Sequence, residues 1–245
     1  MKKNRYQKRF YRDWGGEKDL RSTRIVVKET DLQIFTDKAA DKDFVRNKVS
    51  LYRRQIEEYI SKERSFLTSL KPIPVELSAA PIVREMARQA KKAGVGPMAA
   101  VAGAIAQFLG KQLLKRGCRE VIIENGGDIF LATKKTRRVA IFSGRSKLWQ
   151  GLSLKINPAD SPVGICTSSG KIGHSLSFGS ADSVVILSRN AALADAAATA
   201  CGNLINSKKD LQKAIDSARR IKGVRGAVLI LKNNLITWGK VEFAR

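Results

Sequence analysis

Between Gly164 and Asn203, hydroxyls, glycines, a histidine and a carboxylate lie closer together than anywhere else in the chain, in an order that suits a nucleotide phosphate. Thr167, Ser168, Ser169 and Gly170 follow a short apolar run, so hydroxyls and the open amides of a glycine-containing turn can meet phosphate oxygens, with Lys171 adding charge. The spacing is not that of a GxxxxGK[ST] phosphate loop, and a serine-rich surface loop has the same composition. His174, the single histidine, has no acidic neighbour in sequence and reads as a ligand contact, not a base. Cys166 reads as a buried structural thiol in preference to half of a Cys–His dyad.

Asp195 and Thr199 are one helical turn apart on an alanine-rich run, so they share a face and can offer two oxygens to a hard cation such as Mg²⁺. The same pair also reads as a polar stripe, with Asp195 answering the helix dipole. A second stretch, Asn125, Gly126, Gly127 and Asp128, joins two β-rich runs. Asn-Gly favours a tight hairpin turn, whereas the glycines also let a ligand approach the backbone and Asn125 and Asp128 can bond a base or ribose.

Positioning these residues requires several elements. Runs 23–28 and 32–36 are rich in β-formers and read as a hairpin. Asp41 caps an amphipathic helix running to about residue 70, and a second helix covers about 80–92 and stops at Gly94. Gly96-Pro97 opens a third, to about residue 116, apolar nearly all round and therefore central. Its N-terminus would suit a phosphate as well as plain core packing. Strands are expected at 119–124, 129–133, 138–142, 152–156 and 163–166, helices at about 190–206 and 208–221, and a final hairpin turning at Asn233-Asn234.

The 245 residues are 43% hydrophobic, enough for a substantial core, so disorder and fibre formation are excluded. Lys and Arg number 46 against 22 Asp and Glu, a net charge of +24 that favours anionic partners. Residues 1–22 form a basic arm with interleaved aromatics; a solvated terminus is the reading preferred over contact with nucleic acid. Three scattered cysteines suggest neither disulfides nor zinc, and no secretion signal or transmembrane segment is visible, so a cytoplasmic setting is expected.

Three segments in this order, ENGGDIFL, ICTSSGKIGHS and ALADAAATA, resemble the NxGGD, TSG…H and ADALATA segments of the ApbE superfamily, whose type members are FAD:protein FMN transferases. With VKETDL and GPMAAVAGAIA added, the chain is most similar to a cytosolic, uncharacterised family of that superfamily. The resemblance implies an α+β fold: one ApbE-like layered sandwich over 23–245, a mixed β-sheet packed by the 97–116 and 190–206 helices. It also implies binding of FAD or FMN with Mg²⁺ and transfer or cleavage of the phosphoryl or FMN moiety, with an acceptor protein as partner. A non-catalytic binder of flavin or another phosphorylated metabolite, and a nucleic-acid binder acting through the arm, are the alternatives. Carried over by position, Asn125, Gly126, Gly127 and Asp128 would contact the nucleotide, Thr167, Ser168, Ser169 and Gly170 its phosphates with His174 nearby, and Asp195 and Thr199 the metal. Two departures stand out. Ala100 or Val101 falls where the transferases' GGIAKGYA-like segment has lysine, and HSLSFGSAD replaces HxIDPxTG.

Overall fold

The computed structural model describes residues 19–141, 147–169 and 179–244. The expected site residues Gly170 and His174, with Lys171, and arm residues 1–18 lie outside them.

In chain order the elements are β1 (Arg21–Val27), β2 (Thr30–Thr36), α1 (Lys42–Lys62), α2 (Ser65–Thr68), α3 (Pro81–Ala93), a 3₁₀ turn (Pro97–Ala100), α4 (Val101–Lys115), β3 (Val121–Asn125), β4 (Asp128–Ala132), β5 (Arg137–Ala140), β6 (Ser153–Ile156), β7 (Val163–Ser168), β8 (Ser183–Ser188), α5 (Ala191–Gly202), α6 (Asp210–Arg220), β9 (Val224–Leu231) and β10 (Asn234–Gly239). Short 3₁₀ turns also lie at Lys147–Trp149 and Pro158–Asp160.

Eight strands form one sheet in the order β1-β2-β3-β4-β7-β8-β9-β10, and β5 and β6 form a separate hairpin. The expected α+β sandwich of helices on a sheet is present, but every ladder between named strands is antiparallel, so the sheet is not mixed. The reason lies in the connections. Tight turns join β1 to β2, β3 to β4 and β9 to β10, and between β8 and β9 two successive helices return the chain to the end it left, where a single crossover would give a parallel pair.

Both sheet faces are covered, which explains why β8 is buried at every position. Alternation sends Cys166, Val184 and Ile186 into the larger core beneath the helices. Val163, Ile165, Val185 and Leu187 enter a second core capped by β5 and β6. The layers are therefore helices, large sheet and small hairpin. No single described helix is long and apolar enough to cross a membrane.

Local chemistry sets the helix ends. The Asp41 carboxylate accepts from the amides of Asp43 and Phe44 at 3.1 and 3.0 Å, capping α1 as its sequence suggests. α1 ends at Lys62 instead of near residue 70, because Glu63 leaves helical geometry and its side chain accepts from the Ser65 amide, starting the separate α2. α3 stops at left-handed Gly94, and the chain turns through 102° into the next helical run. That run is not one helix from Pro97: the 3₁₀ turn occupies Pro97–Ala100 and α4 proper begins at Val101. The last hairpin pairs Asn234 with Leu231, so it turns at Lys232-Asn233, one residue earlier than expected.

Candidate functional site

The Asn125-Gly126-Gly127-Asp128 segment is a two-residue hairpin turn. Asn125 pairs with Asp128 across β3 and β4, and Gly126 and Gly127 take φ of 71° and 101°, left-handed values that glycine alone adopts cheaply. Its flanks are fixed from within: the buried Glu124 carboxylate accepts from the Gly127 amide at 2.8 Å, and Asn125 Nδ2 donates to the Ala102 carbonyl at 3.1 Å. The turn reading and the ligand reading are therefore compatible, because the turn abuts the second motif. A Cβ built on Gly127 would lie 3.8 Å from the Thr167 Cβ. β7 carries Thr167 and the buried Ser168 to that point, and Ser169 follows it.

Behind these two motifs sits α5. Asn190 caps it, accepting from the Leu193 amide at 2.9 Å while donating to buried Glu85 at 2.6 Å, and Gln107 Oε1 accepts from the Ala191 amide at 2.8 Å. Two glycines let neighbouring backbones close on this helix. A Cβ on Gly103 would fall 2.3 Å from the Ala191 oxygen, and one on Gly164 would fall 2.3 Å from the Ala191 Cα. The result is a helix held against α4 and β7, with Asp195 and Thr199 buried on it one turn apart.

Asp195 does more than share a face with Thr199. Its Oδ2 accepts from the Gly103 amide at 2.9 Å, and it also accepts from the Ala102 amide, so it caps α4 from another helix. Of the two readings of that helix head, phosphate contact or plain packing, the contacts fit packing: the Gly103 and Ala102 amides are engaged by a carboxylate.

The carboxyl of Asp128 faces the same interior. Burial, the charge of Asp195 and then that of Glu124 drive its pKa well up, while contacts from Cys166 and the Thr167 amide oppose the rise. Its buried Oδ1 has no hydrogen-bond partner. Asp195 is raised by burial to about 7, against the pull of the Gly103 and Ala102 amides. Of the pair, Asp195 ionises first, because two backbone donors stabilise its charge and Asp128 lacks them in that number.

Cys166 lies beside Asp128, with its Sγ 3.3 Å from the Ala191 carbonyl; one thiol proton serves either acceptor, not both. Burial and the two nearby carboxylates push its thiol far above neutrality, so a nucleophilic thiolate is not formed there. Cys201 is pushed up to about 12 by burial.

The structure therefore brings together Asn125 to Asp128, Thr167 and Asp195, with Thr199 buried one turn further along α5. Sequence reasoning missed the supports: Asn190, Gln107, Glu85, Glu124 and the α4 amides. Two signals were present, a capping-type residue before an alanine run and one glutamine inside an apolar helix. Among the described residues no three His, Cys, Asp or Glu side chains are grouped to hold a metal by themselves.

A family model described as AbpE bacteria matches residues 13–242. The UPF0280 protein of Methanocaldococcus jannaschii is 39% identical over 228 residues, covering 89% of this chain and 90% of the relative. That of Methanococcus aeolicus is 37% identical over 222 residues, with the same coverage. Among solved structures, flavin transferase ApbE from Vibrio cholerae superposes with a TM-score of 0.60 at 14% identity, covering 90% of this chain and 97% of that one. The apo form of flavinyl transferase ApbE from Pseudomonas stutzeri gives 0.58 at 13%, covering 90% and 94%. At these identities the structural likeness is one of fold.

Proposed function

Because the chain belongs to the AbpE bacteria family, we propose that it binds a flavin nucleotide, FAD or FMN, together with Mg²⁺ and cleaves or transfers the phosphoryl or FMN moiety. The observation that carries this reading is convergence: three segments distant in sequence meet at the ends of β3, β4 and β7 over α5. The similar folds from Vibrio cholerae and Pseudomonas stutzeri are flavin transferases by name, which supports the choice of ligand.

In this reading the hairpin of Asn125 to Asp128 presents backbone and side-chain groups to the nucleotide, and Thr167, Ser168, Ser169 and Gly170 offer hydroxyls and amides to its phosphates. His174, four residues after Gly170 in sequence, is assigned a ligand contact. A divalent cation suits the donors present. Two buried carboxyls, Asp128 with an unpartnered oxygen and Asp195, lie in one interior, where burial disfavours their charged forms and a bound cation would favour them. Asp195 and Thr199 would hold the ion. Mg²⁺ commonly uses one or two carboxylates plus water and phosphate, so an all-protein cage is not required. When bound it would neutralise charge developing on the phosphates. The chain's own residues then orient the nucleotide, and the Gly103 and Ala102 amides keep Asp195 in place and ionisable.

The test is chromatographic detection of AMP released from FAD. Release is expected to need Mg²⁺ and to fall at least about tenfold in Asp195→Asn, which keeps the hydrogen bonds but loses the charge. FAD binding without AMP release would replace the catalytic reading with the binding one. Release that is indifferent to both Mg²⁺ and Asp195→Asn would remove the metal assignment.

A further inference from the structure

On the sheet face opposite α5 lies a cavity of about 240 Å³ that the proposed flavin site leaves unused. Its floor is apolar: Ile156, Val163 and Leu187 belong to the second core, and Val241 packs beside them. Its walls carry Lys155, Arg225 and Lys240 against Asp160 and Glu242. Glu242 is committed, bonded to Lys155 at 2.5 Å and to Asn157 at 2.8 Å. Asp160 is shared loosely, 3.6 Å from Arg225 and 4.0 Å from Lys240, beyond hydrogen-bond length in both cases.

Arg225 is the informative residue. Its side chain is only 22% exposed, yet among the described residues its guanidinium makes no hydrogen bond. A guanidinium with no acceptor in the plane of its fork is open to a carboxylate, which matches that fork with two parallel bonds. Two cations around one loosely held acid give the cavity a net positive wall, with the Lys240 side chain reaching solvent at 68% exposure, above an apolar floor.

We propose that this cavity is a second ligand site for a short-chain monocarboxylate, with the carboxylate on Arg225 and Lys240 and the chain on Ile156, Val163, Leu187 and Val241. The assignment is independent of the flavin reading, since side chains on this face point away from α5.

The experiment is a saturation-transfer NMR titration of the full chain with valerate at constant ionic strength, with butylammonium and inorganic phosphate as comparators. Valerate is expected to bind saturably in the millimolar range and butylammonium not at all. Arg225→Met, which keeps the apolar stem and removes the donors, is expected to weaken binding about tenfold. Asp160→Asn, which removes the competing acid, is expected to tighten it severalfold, an outcome that requires a folded chain. The proposal is overturned by absence of saturable valerate binding to the wild type, by binding that both variants leave unchanged, or by phosphate binding in preference to valerate.

Discussion

Two opposing influences fix the behaviour of Asp195: burial, which disfavours its charge, and the amides of Gly103 and Ala102, which favour it. Raised from its ordinary 3.8 to about 7, it keeps in the folded chain a proton that the unfolded chain releases. Its contribution to stability is therefore full below the unfolded value and lost as pH rises through about 7. Asp195→Asn keeps the acceptor and cannot ionise. The melting temperature of the variant minus that of the wild type is expected to rise by on the order of 5 °C between about pH 5 and about pH 8. The lowered carboxyls, among them Glu57 and Glu29, work in the opposite direction in both proteins and cancel in this difference. A flat or falling difference would contradict the assignment. Sequence showed Asp195 and Thr199 on one face because helical periodicity is local. It did not show Asp195 capping α4, because that contact joins residues 92 positions apart.

At the level of elements, the site depends on how closely α4, β7 and α5 approach. Gly103 lies inside α4, where alanine would ordinarily add about 1 kcal/mol of helix propensity. A methyl there would sit 2.3 Å from the Ala191 oxygen and 2.9 Å from the Asp195 Cβ, both on an anchored neighbour. The clash outweighs the propensity gain, so Gly103→Ala is expected to lower stability by about 1–3 kcal/mol in urea denaturation. A stabilised variant would show that the helices part at little cost. Most elements were legible in sequence because apolar spacing and capping residues are local signals; Asp41 and Gly94 both act where their types suggested. The breaks at Ala100 and Glu63 were not legible. There the chain leaves helical geometry within residues that are acceptable helix formers, and tertiary contacts decide.

Across the whole molecule the antiparallel direction of the sheet follows from its connections, tight turns at three pairs and the two helices between β8 and β9, a property that single-strand patterns do not contain. The first strand is tied in by charge. Arg137 is 3% exposed and is bonded to Glu120 and, at 2.7 Å, to Asp19, just before β1. β1 itself starts at Arg21, inside the stretch that composition assigned to the arm. Extending a deletion of residues 1–18 to residues 1–22 is therefore expected to lower the melting temperature, because it removes both the Asp19 carboxylate bonded to Arg137 and the first two residues of β1. Equal melting temperatures for the two truncations would contradict this. The central claim is that the hairpin at Gly126-Gly127, the hydroxyls after β7 and the Asp195 face of α5 form one flavin-nucleotide site. Calorimetric titration of FAD into the full chain with Mg²⁺ present tests it most directly. Saturable one-to-one binding is expected, weakened about tenfold or more by removing Mg²⁺ and by Asp195→Asn. Absence of FAD binding, or binding that ignores both changes, would contradict the account.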